Sequence, residues 1–486
     1  MARRKCGIPK RRVTVDAVAH VQKTFDRQIV HLLLLNISRK MNQTPVPSKP
    51  LTGLRVAVTT PPLTWFGGVD YKFADDMARN LREMGADLME IDIARLAERD
   101  MSYVSAVVSD LRRFQPDVAI GTPNAGYAML ATDAEGRNLF RDILEIPTLL
   151  IWDHGVLQFS ALILQPLPNG VSESSAGCIA RLRNALDHPL FIHYSPDRGH
   201  TKVMRDLGVL IDQPVQPFLH IAFPAYTRPV EATPMKRRII FAGNLYFERA
   251  RSLKYHEHPT LGRMESAMLA GKAARPQASL WELLMEQIDH ADQAARRELC
   301  LNPDESFFWR FVGDEIVAVG STVVRLSMLT ALHHEFDCYG NFVEPEARKL
   351  LRDHYGIRFQ EVLDCVTELP ALYRSSELLV DAVQPCYISG VSPKIPSCYA
   401  AGGMALFDYK TDFRDALGEI ADQVMYRDHA HLNAMIDDFL VRPGRREEVV
   451  RELQHRVLDE FTFAHLMRRM LVEEPLWRMA RSASAS

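Results

Sequence analysis

The chain is 486 residues long, 47% apolar and 24% charged, a balance that excludes disorder as the dominant state. At about 100–200 residues per domain, that length points to two or three domains. Lys and Arg number 58 against 61 Asp and Glu, a net charge of -3, which argues against a dedicated nucleic-acid binder. The seven cysteines are dispersed, with no C-x-x-C pair, and read as reduced thiols of a cytoplasmic protein rather than a disulfide framework or zinc ribbon.

The N-terminus opens on MARRKCGIPKRR, six basic side chains in twelve residues, and continues to an apolar run, Ile29–Ile37. That run is interrupted by His31 and Asn36 and followed by Ser38-Arg39-Lys40, not by a small-residue cleavage site. It also falls short of the ~20 residues that span a bilayer. Residues 1–50 therefore read as a basic arm and a helix, and the arm's charge suits peripheral contact with anionic lipid at the inner face of a membrane.

After the linker Pro45–Pro50 the pattern changes. Arg55–Thr60 reads as a strand, with Gly67-Gly68 in the loop after it. Phe73, Met77, Leu81 and Met84 recur at helical spacing within Tyr71–Met84. Leu88–Ile91, Asp117–Gly121 and Thr148–Trp152 are further strands, with a helix over Tyr103–Phe114. His193 and Tyr194 lie at another strand end, near the crossing into the next domain, where they could line a cleft.

The alternation restarts after Pro234 with the strand Arg238–Gly243, followed by a mostly helical stretch from about Pro276 to His334. Phe336–Tyr339, Val362–Val366, Leu378–Val383 and Met404–Phe407 are the next strands, with a helical turn over Glu368–Ser375. Helices over Leu432–Leu440 and Arg445–Glu460 follow, the latter supported by Glu447/Arg451 and Glu452/Arg456 at four-residue spacing. The last residues, Ser482–Ser486, read as a polar tail. Short apolar runs alternating with helices predict an α/β protein of two Rossmann-like parallel sheets facing a cleft. The expected domains are 51–225 and 226–460, the second with a helical insertion at about 250–334 that could shape an acceptor site or a dimer contact, and a C-terminal helix and tail over 461–486.

Gly390-Val391-Ser392-Pro393-Lys394 follows a strand and starts a helix. Glycine suits a sharp turn, Ser392 a helix cap and Pro393 the first helical position. A helix start of this kind suits a phosphate through its free N–H groups and dipole, with Lys394 adding a full charge, although an ordinary capped helix explains the same residues. His154 at the end of the strand Thr148–Trp152 is placed to face a ligand, and Asp153 to orient it or act as a base. No Asp-x-Asp occurs, and neither His256-x-His258 nor His333-His334 has the companions of a metal site.

The stretches ELPALYRSSELLVDAV, GVSPKIPSCYAAGGMALFDYKTDF, VMYRDHAHLNAMIDDFLVRP and RVLDEFTFAHLMRRM resemble the C-terminal domain of the CgeB-like branch of GT-B, group 1 glycosyltransferases. RIIFAGNLYFERAR is similar to the first strand and basic loop of that domain. The resemblance implies a nucleoside-diphosphate-sugar donor with no further cofactor. It implies retention of configuration and an acceptor that is a glycan, a lipid-linked group or a protein. It places Gly67, Gly68, Arg249, Arg251, Gly390, Ser392 and Lys394 on the donor and His154 against its sugar. The chain departs from the pattern at Ser397, where the family has a ribose-binding Glu, and at Pro396, which lacks an N–H and distorts the first helical turn. That departure keeps two other readings open: a noncatalytic sugar-nucleotide or glycan-binding assembly protein, and a nucleotide-sugar epimerase.

Overall fold

The computed structural model describes residues 49–60, 71–92, 95–96, 101–121, 137–152, 183–184, 186–228, 237–243, 245, 254–302, 305–340 and 345–484. The architecture lies in the unit Leu51–Ser486. The basic arm and apolar run expected before residue 49 fall outside the described residues, and among those described no helix is long and apolar enough to cross a membrane.

Two six-stranded sheets organise the chain, and every strand pair in both is parallel. The first has the order β2-β1-β3-β4-β5-β6, from β1 (Arg55–Thr60), β2 (Asp87–Asp92), β3 (Val118–Gly121), β4 (Thr148–Ile151), β5 (Phe191–Ser195) and β6 (Val215–Pro217). Helices α1 (Tyr71–Glu83), α2 (Met101–Phe114) and α3 (Arg198–Asp206) cover it. Residues of β3, β4 and β5 are buried throughout, which is why the β3 run and most of β4 read as apolar in the sequence.

The second sheet has the order β12-β11-β10-β7-β8-β9. Its strands are β7 (Arg237–Ala242), β8 (Asp337–Tyr339), β9 (Arg358–Phe359), β10 (Ser376–Asp381), β11 (Ala405–Asp408) and β12 (Met425–Tyr426). Between β7 and β8 the helices α4 (Leu261–Ala274), α5 (Leu280–His290), α6 (Ser306–Gly313) and α7 (Ser321–Ala331) form the insertion, with a π-helical turn over Asp314–Gly320 joining the last two. Ser279 and Glu282 close a capping box at the start of α5, the Ser279 Oγ accepting the Glu282 N–H at 3.1 Å and Glu282 reaching back to the Ser279 N–H at 3.2 Å.

The strand expected over Val362–Val366 is absent, and Arg358–Phe359 takes its place beside β8. The reason is Asp364, whose Oδ1 accepts the N–H groups of Val366 and Thr367 at 2.9 and 2.8 Å and folds the segment into a turn. Helix α8 (Lys394–Ala400) follows β10, and α9 (His429–Val441) and α10 (Pro443–Glu460) follow β12. The Glu452–Arg456 pair on α10 forms at 2.6 Å.

The chain then returns to the first sheet. Ala222 donates to the Phe461 carbonyl at 2.8 Å, and α11 (Phe463–Arg468) and α12 (Leu476–Ser484) follow. Phe463, Met467, Met470 and Trp477 share a core with Val56, Val58 and Met77 of the first sheet and α1. The expected tail therefore begins later than Ser482, because α12 runs to Ser484.

Candidate functional site

The segments that follow β5 and β10 meet. After β5 the chain turns at Pro196 into Asp197, which caps α3 by accepting the Gly199 N–H at 2.7 Å. After β10 it runs through Cys386–Gly390 toward α8. Asp197 is 1% exposed, and its carboxylate accepts the Ile388 N–H at 2.5 Å, the Ser389 N–H at 3.1 Å, and lies 2.6 Å from the Ser389 Oγ. Ser389 Oγ also lies 2.8 Å from Asp412 Oδ2, so its one proton serves one carboxylate at a time, while its lone pairs accept the Gly199 N–H at 2.8 Å. Asp412 is held in turn by Arg198, through Nε at 2.6 Å and the backbone N–H at 2.9 Å. His200, also buried, reaches the Cys386 carbonyl through Nε2 at 2.8 Å. Burial works to raise the Asp197 carboxyl, but the neighbouring His200 and the bonds from Ser389 and Gly390 outweigh it and hold the group below its ordinary value.

This contact explains two glycines. A Cβ on Gly390 would come within 2.5 Å of the Pro196 carbonyl, and one on Gly199 within 2.5 Å of Ile388 Cβ. Gly390 lies in a bend, as expected, but without a positive φ; what excludes a side chain there is the close approach of the two halves.

The helix start beside it differs from expectation in detail. Helix α8 begins at Lys394 with Pro393 at the cap, and Ser392 makes no side-chain cap; its Oγ is buried with no hydrogen-bond partner. Ser392 cannot bond forward to Pro396, which has no N–H, and its carbonyl instead accepts the Ile395 N–H at 3.1 Å, tightening the first turn. Ser397 is 1% exposed, and its Oγ accepts the Phe223 N–H at 3.2 Å, tying α8 to the segment between the two sheets.

Lys394 lies over the carboxyl end of β10. Its Nζ donates to Asp381 Oδ2 at 2.9 Å, sits 5.5 Å from the centre of the Phe241 ring and would be 3.2 Å from a Cβ on Gly243. Asp381 is fully buried, and its other oxygen has no partner. Arg325, 5% exposed, donates from Nε to the Ala382 carbonyl at 3.2 Å. Burial pushes the Lys394 ammonium below its ordinary value, Arg325 adds to that, and Asp381 opposes both. Removing one member of this pair strands a buried charge. Lys394→Ala is therefore expected to cost about 3–5 kcal/mol in urea unfolding, and Asp381→Asn added to it should recover most of that loss. An undiminished midpoint in the single variant would refute the pairing.

His193 and Tyr194 do not line a cleft. Both are buried within β5, where His193 Nδ1 accepts the Trp152 indole N–H at 3.1 Å and its Nε2 lies 2.9 Å from the Leu186 carbonyl. Burial pushes His193 down to about 4, so it is neutral at pH 7. Asp153 and His154, Gly67 and Gly68, and Arg249 and Arg251 lie outside the described residues. Asp197, Ser389, Asp412, Asp381 and Arg325 were not singled out in the sequence. Asp197 carried a readable signal, an Asp directly after a strand and ahead of a helix.

Comparison with known proteins bears on the half that holds α8. Residues 325–472 match the family model described as "Glycosyl transferase-like". That segment, under a third of the chain, is similar to this family. It begins at Arg325 and contains β8 to β12 together with Lys394, Asp381 and the Ser389 turn. Among solved structures, sucrose-phosphate synthase from Thermosynechococcus elongatus aligns with 12% identity over 89% of this chain and 100% of its own, at a TM-score of 0.48. A glycosyltransferase from Rickettsia africae aligns with 10% identity over 88% and 98%, at 0.45. The HepE protein of Anabaena, solved with UDP and glucose, aligns with 9% identity over 89% and 100%, at 0.46. No curated protein sequence matches the chain.

Proposed function

We propose that the chain is a GT-B glycosyltransferase of the CgeB-like branch, moving a sugar from a nucleoside-diphosphate donor to an acceptor hydroxyl. The observation that carries this reading is the glycosyl transferase-like match over 325–472, a segment whose α8 start stands at the carboxyl end of a parallel sheet, where open α/β folds take their ligands. In this reading the donor diphosphate lies across the α8 start and the Arg249/Arg251 loop, and Gly67-Gly68 approaches it from the other half. The helix dipole and these cations offset the charge that develops on the leaving diphosphate. His154 contacts the donor sugar and Asp153 orients it. The lack of an Asp-x-Asp string supports a metal-independent reaction, and the resemblance supports retention. The acceptor is a glycan, a lipid-linked group or a protein, met in the cytoplasm or at the inner membrane face.

A second reading, a noncatalytic sugar-nucleotide binder, is favoured by one observation: Ser397, which stands where the family has a ribose-binding Glu, has its Oγ committed to Phe223. Thermal shift against UDP, GDP, CDP, dTDP and their sugar conjugates, with and without magnesium, tests both. A metal-independent rise with one nucleotide is expected, about 2.7 kcal/mol at a hundredfold excess over the dissociation constant, together with slow donor hydrolysis that His154→Ala abolishes. Binding without turnover would select the second reading, and no shift with any nucleotide would overturn both.

A further inference from the structure

The insertion between β7 and β8 closes over the carboxyl ends of β10 and β11 and leaves a small cleft between them. One wall is the α4–α5 connection, with Lys272 and Ser279; the other is the sheet end, with Tyr387, Asp408, Tyr409 and Lys410. Lys410 is 6% exposed. Its Nζ donates to the Tyr387 carbonyl at 2.8 Å and lies 3.4 Å from Asp408 Oδ2. Asp408 spends its other oxygen on the Val383 N–H at 2.7 Å. Lys272 reaches in from α4, its Nζ donating to the Pro276 and Ala278 carbonyls at 2.6 and 3.0 Å.

The charge in this cleft does not balance. Each ammonium has three N–H donors, and carbonyl acceptors orient it without neutralising it. Two lysines face one carboxylate, and that carboxylate is nearer to Lys410. Glu282, the next acidic group, is exposed at the rim and turned back onto Ser279. Burial pushes Lys272 down to about 8, with Lys410 adding to the fall and Asp408 and Glu282 only partly opposing it. An anion in the cleft would remove that penalty. The N-terminal turn of α5 adds the positive end of its dipole on the same side.

We propose that this cleft is a second anion site, separate from the α8 start, which binds a phosphate-class oxyanion between Lys272 and Lys410. It goes beyond the sugar-transfer reading and stands without it. Within that reading it would seat a phosphate group carried by a substrate other than the donor diphosphate.

The test is titration calorimetry on the full chain with inorganic phosphate, a hexose 6-phosphate and UDP. Wild type should bind phosphate or the hexose phosphate, and Lys272→Met and Lys410→Met should each weaken that binding at least tenfold. Lys272→Arg should keep it within about threefold, and Asp408→Asn should tighten it. Stronger binding of the hexose phosphate would identify a sugar phosphate as the source, and stronger binding of inorganic phosphate the free ion. Lys410 is buried and its variant could misfold, so the Lys272 pair carries the result alone. Equal phosphate affinity in wild type and Lys272→Met, or no phosphate binding in wild type, overturns the proposal. Loss of UDP binding in Lys272→Met would show a single shared site and overturn its separateness. Absence of UDP binding in wild type with phosphate binding intact would count against the donor reading alone.

Discussion

Asp197→Ala is expected to lose about 3–5 kcal/mol of unfolding free energy, one of the largest single-residue effects in this chain. Its carboxylate satisfies the N–H groups of Ile388, Ser389 and Gly199, all at a contact that excludes water. Truncation leaves the Ile388 and Ser389 N–H groups without that acceptor, removes one of the two acceptors of the Gly199 N–H, and opens a cavity beside His200. Asp197→Asn keeps one acceptor oxygen but turns an NH₂ toward backbone donors, so it should fall between wild type and Ala. The pH dependence has a definite sign. The folded carboxyl lies below its ordinary value of 3.8, so its contribution is fully present above about pH 4 and is lost as pH falls through the folded value. Urea unfolding at pH 7 and pH 3 checks both points: the Asn variant should differ less from wild type at pH 3 than at pH 7. A loss under about 1 kcal/mol for Asp197→Ala would mean that the two halves are held together elsewhere. The same bonds connect the two sheets, so the variant should also separate their unfolding into two transitions.

Glu315 should show the opposite behaviour, a natural residue whose replacement stabilises. It lies in the π-helical turn of the insertion, fully buried, and neither carboxylate oxygen has a hydrogen-bond partner. Burial pushes its carboxyl up to about 8, and the charges of Glu265 and Asp314 add to that. Glu265 on α4 is itself raised by burial. An acid raised on folding is bound to its proton in the native state, so stability is greatest below the ordinary value of 4.5 and falls as pH climbs from there to about 8. The span, 8 minus 4.5, is 3.5 units, which at 1.36 kcal/mol per unit sets a ceiling of about 5 kcal/mol. Glu315→Gln is expected to gain about 2–4 kcal/mol at pH 9 and close to nothing at pH 5, and Glu315→Met to gain at both. Melting curves at the two pH values decide it. A gain for Gln that is no larger at pH 9 would show that the carboxylate is not paying a burial penalty there.

Such a residue raises the question of why the helix keeps it. A π-helical turn with an unpartnered buried acid departs from ordinary packing rules, and departures of this kind concentrate where something other than stability is selected. The insertion that contains it also supplies Lys272 to the cleft at the sheet end. The sequence left the role of this insertion open between an acceptor site and a dimer contact. Its placement over the carboxyl ends of β10 and β11 puts it at the side of the sheet where open α/β folds take their ligands.

Much of the fold was legible in order of appearance. Short runs such as Val118–Gly121 and Leu378–Val380 are apolar at every position because both faces of a parallel strand are covered, and helices such as α2 and α10 keep one apolar stripe. These signals are local: they depend on the period of a few consecutive side chains. The short edge strands β9 and β12, of two residues each, carry too little period to detect. The strand expected over Val362–Val366 failed because an internal Asp364 drew backbone N–H groups into a turn.

The candidate site divides in the same way. By itself, the sequence determined that a glycine, a helix start and a lysine follow β10, and that Pro396 would distort the first turn, since a missing N–H acts within four residues. It could not determine that Lys394 would meet Asp381, that Ser397 would be spent on Phe223, or that the last helices would return to the first sheet. Gly390 is the clearest case: its need for a missing side chain comes from the Pro196 carbonyl, almost two hundred positions away in the chain. Contacts of that kind follow from how two sheets, each complete in its own hydrogen bonds, approach each other. Only the tertiary structure decides them, because the groups that meet belong to segments whose local patterns carry no information about one another.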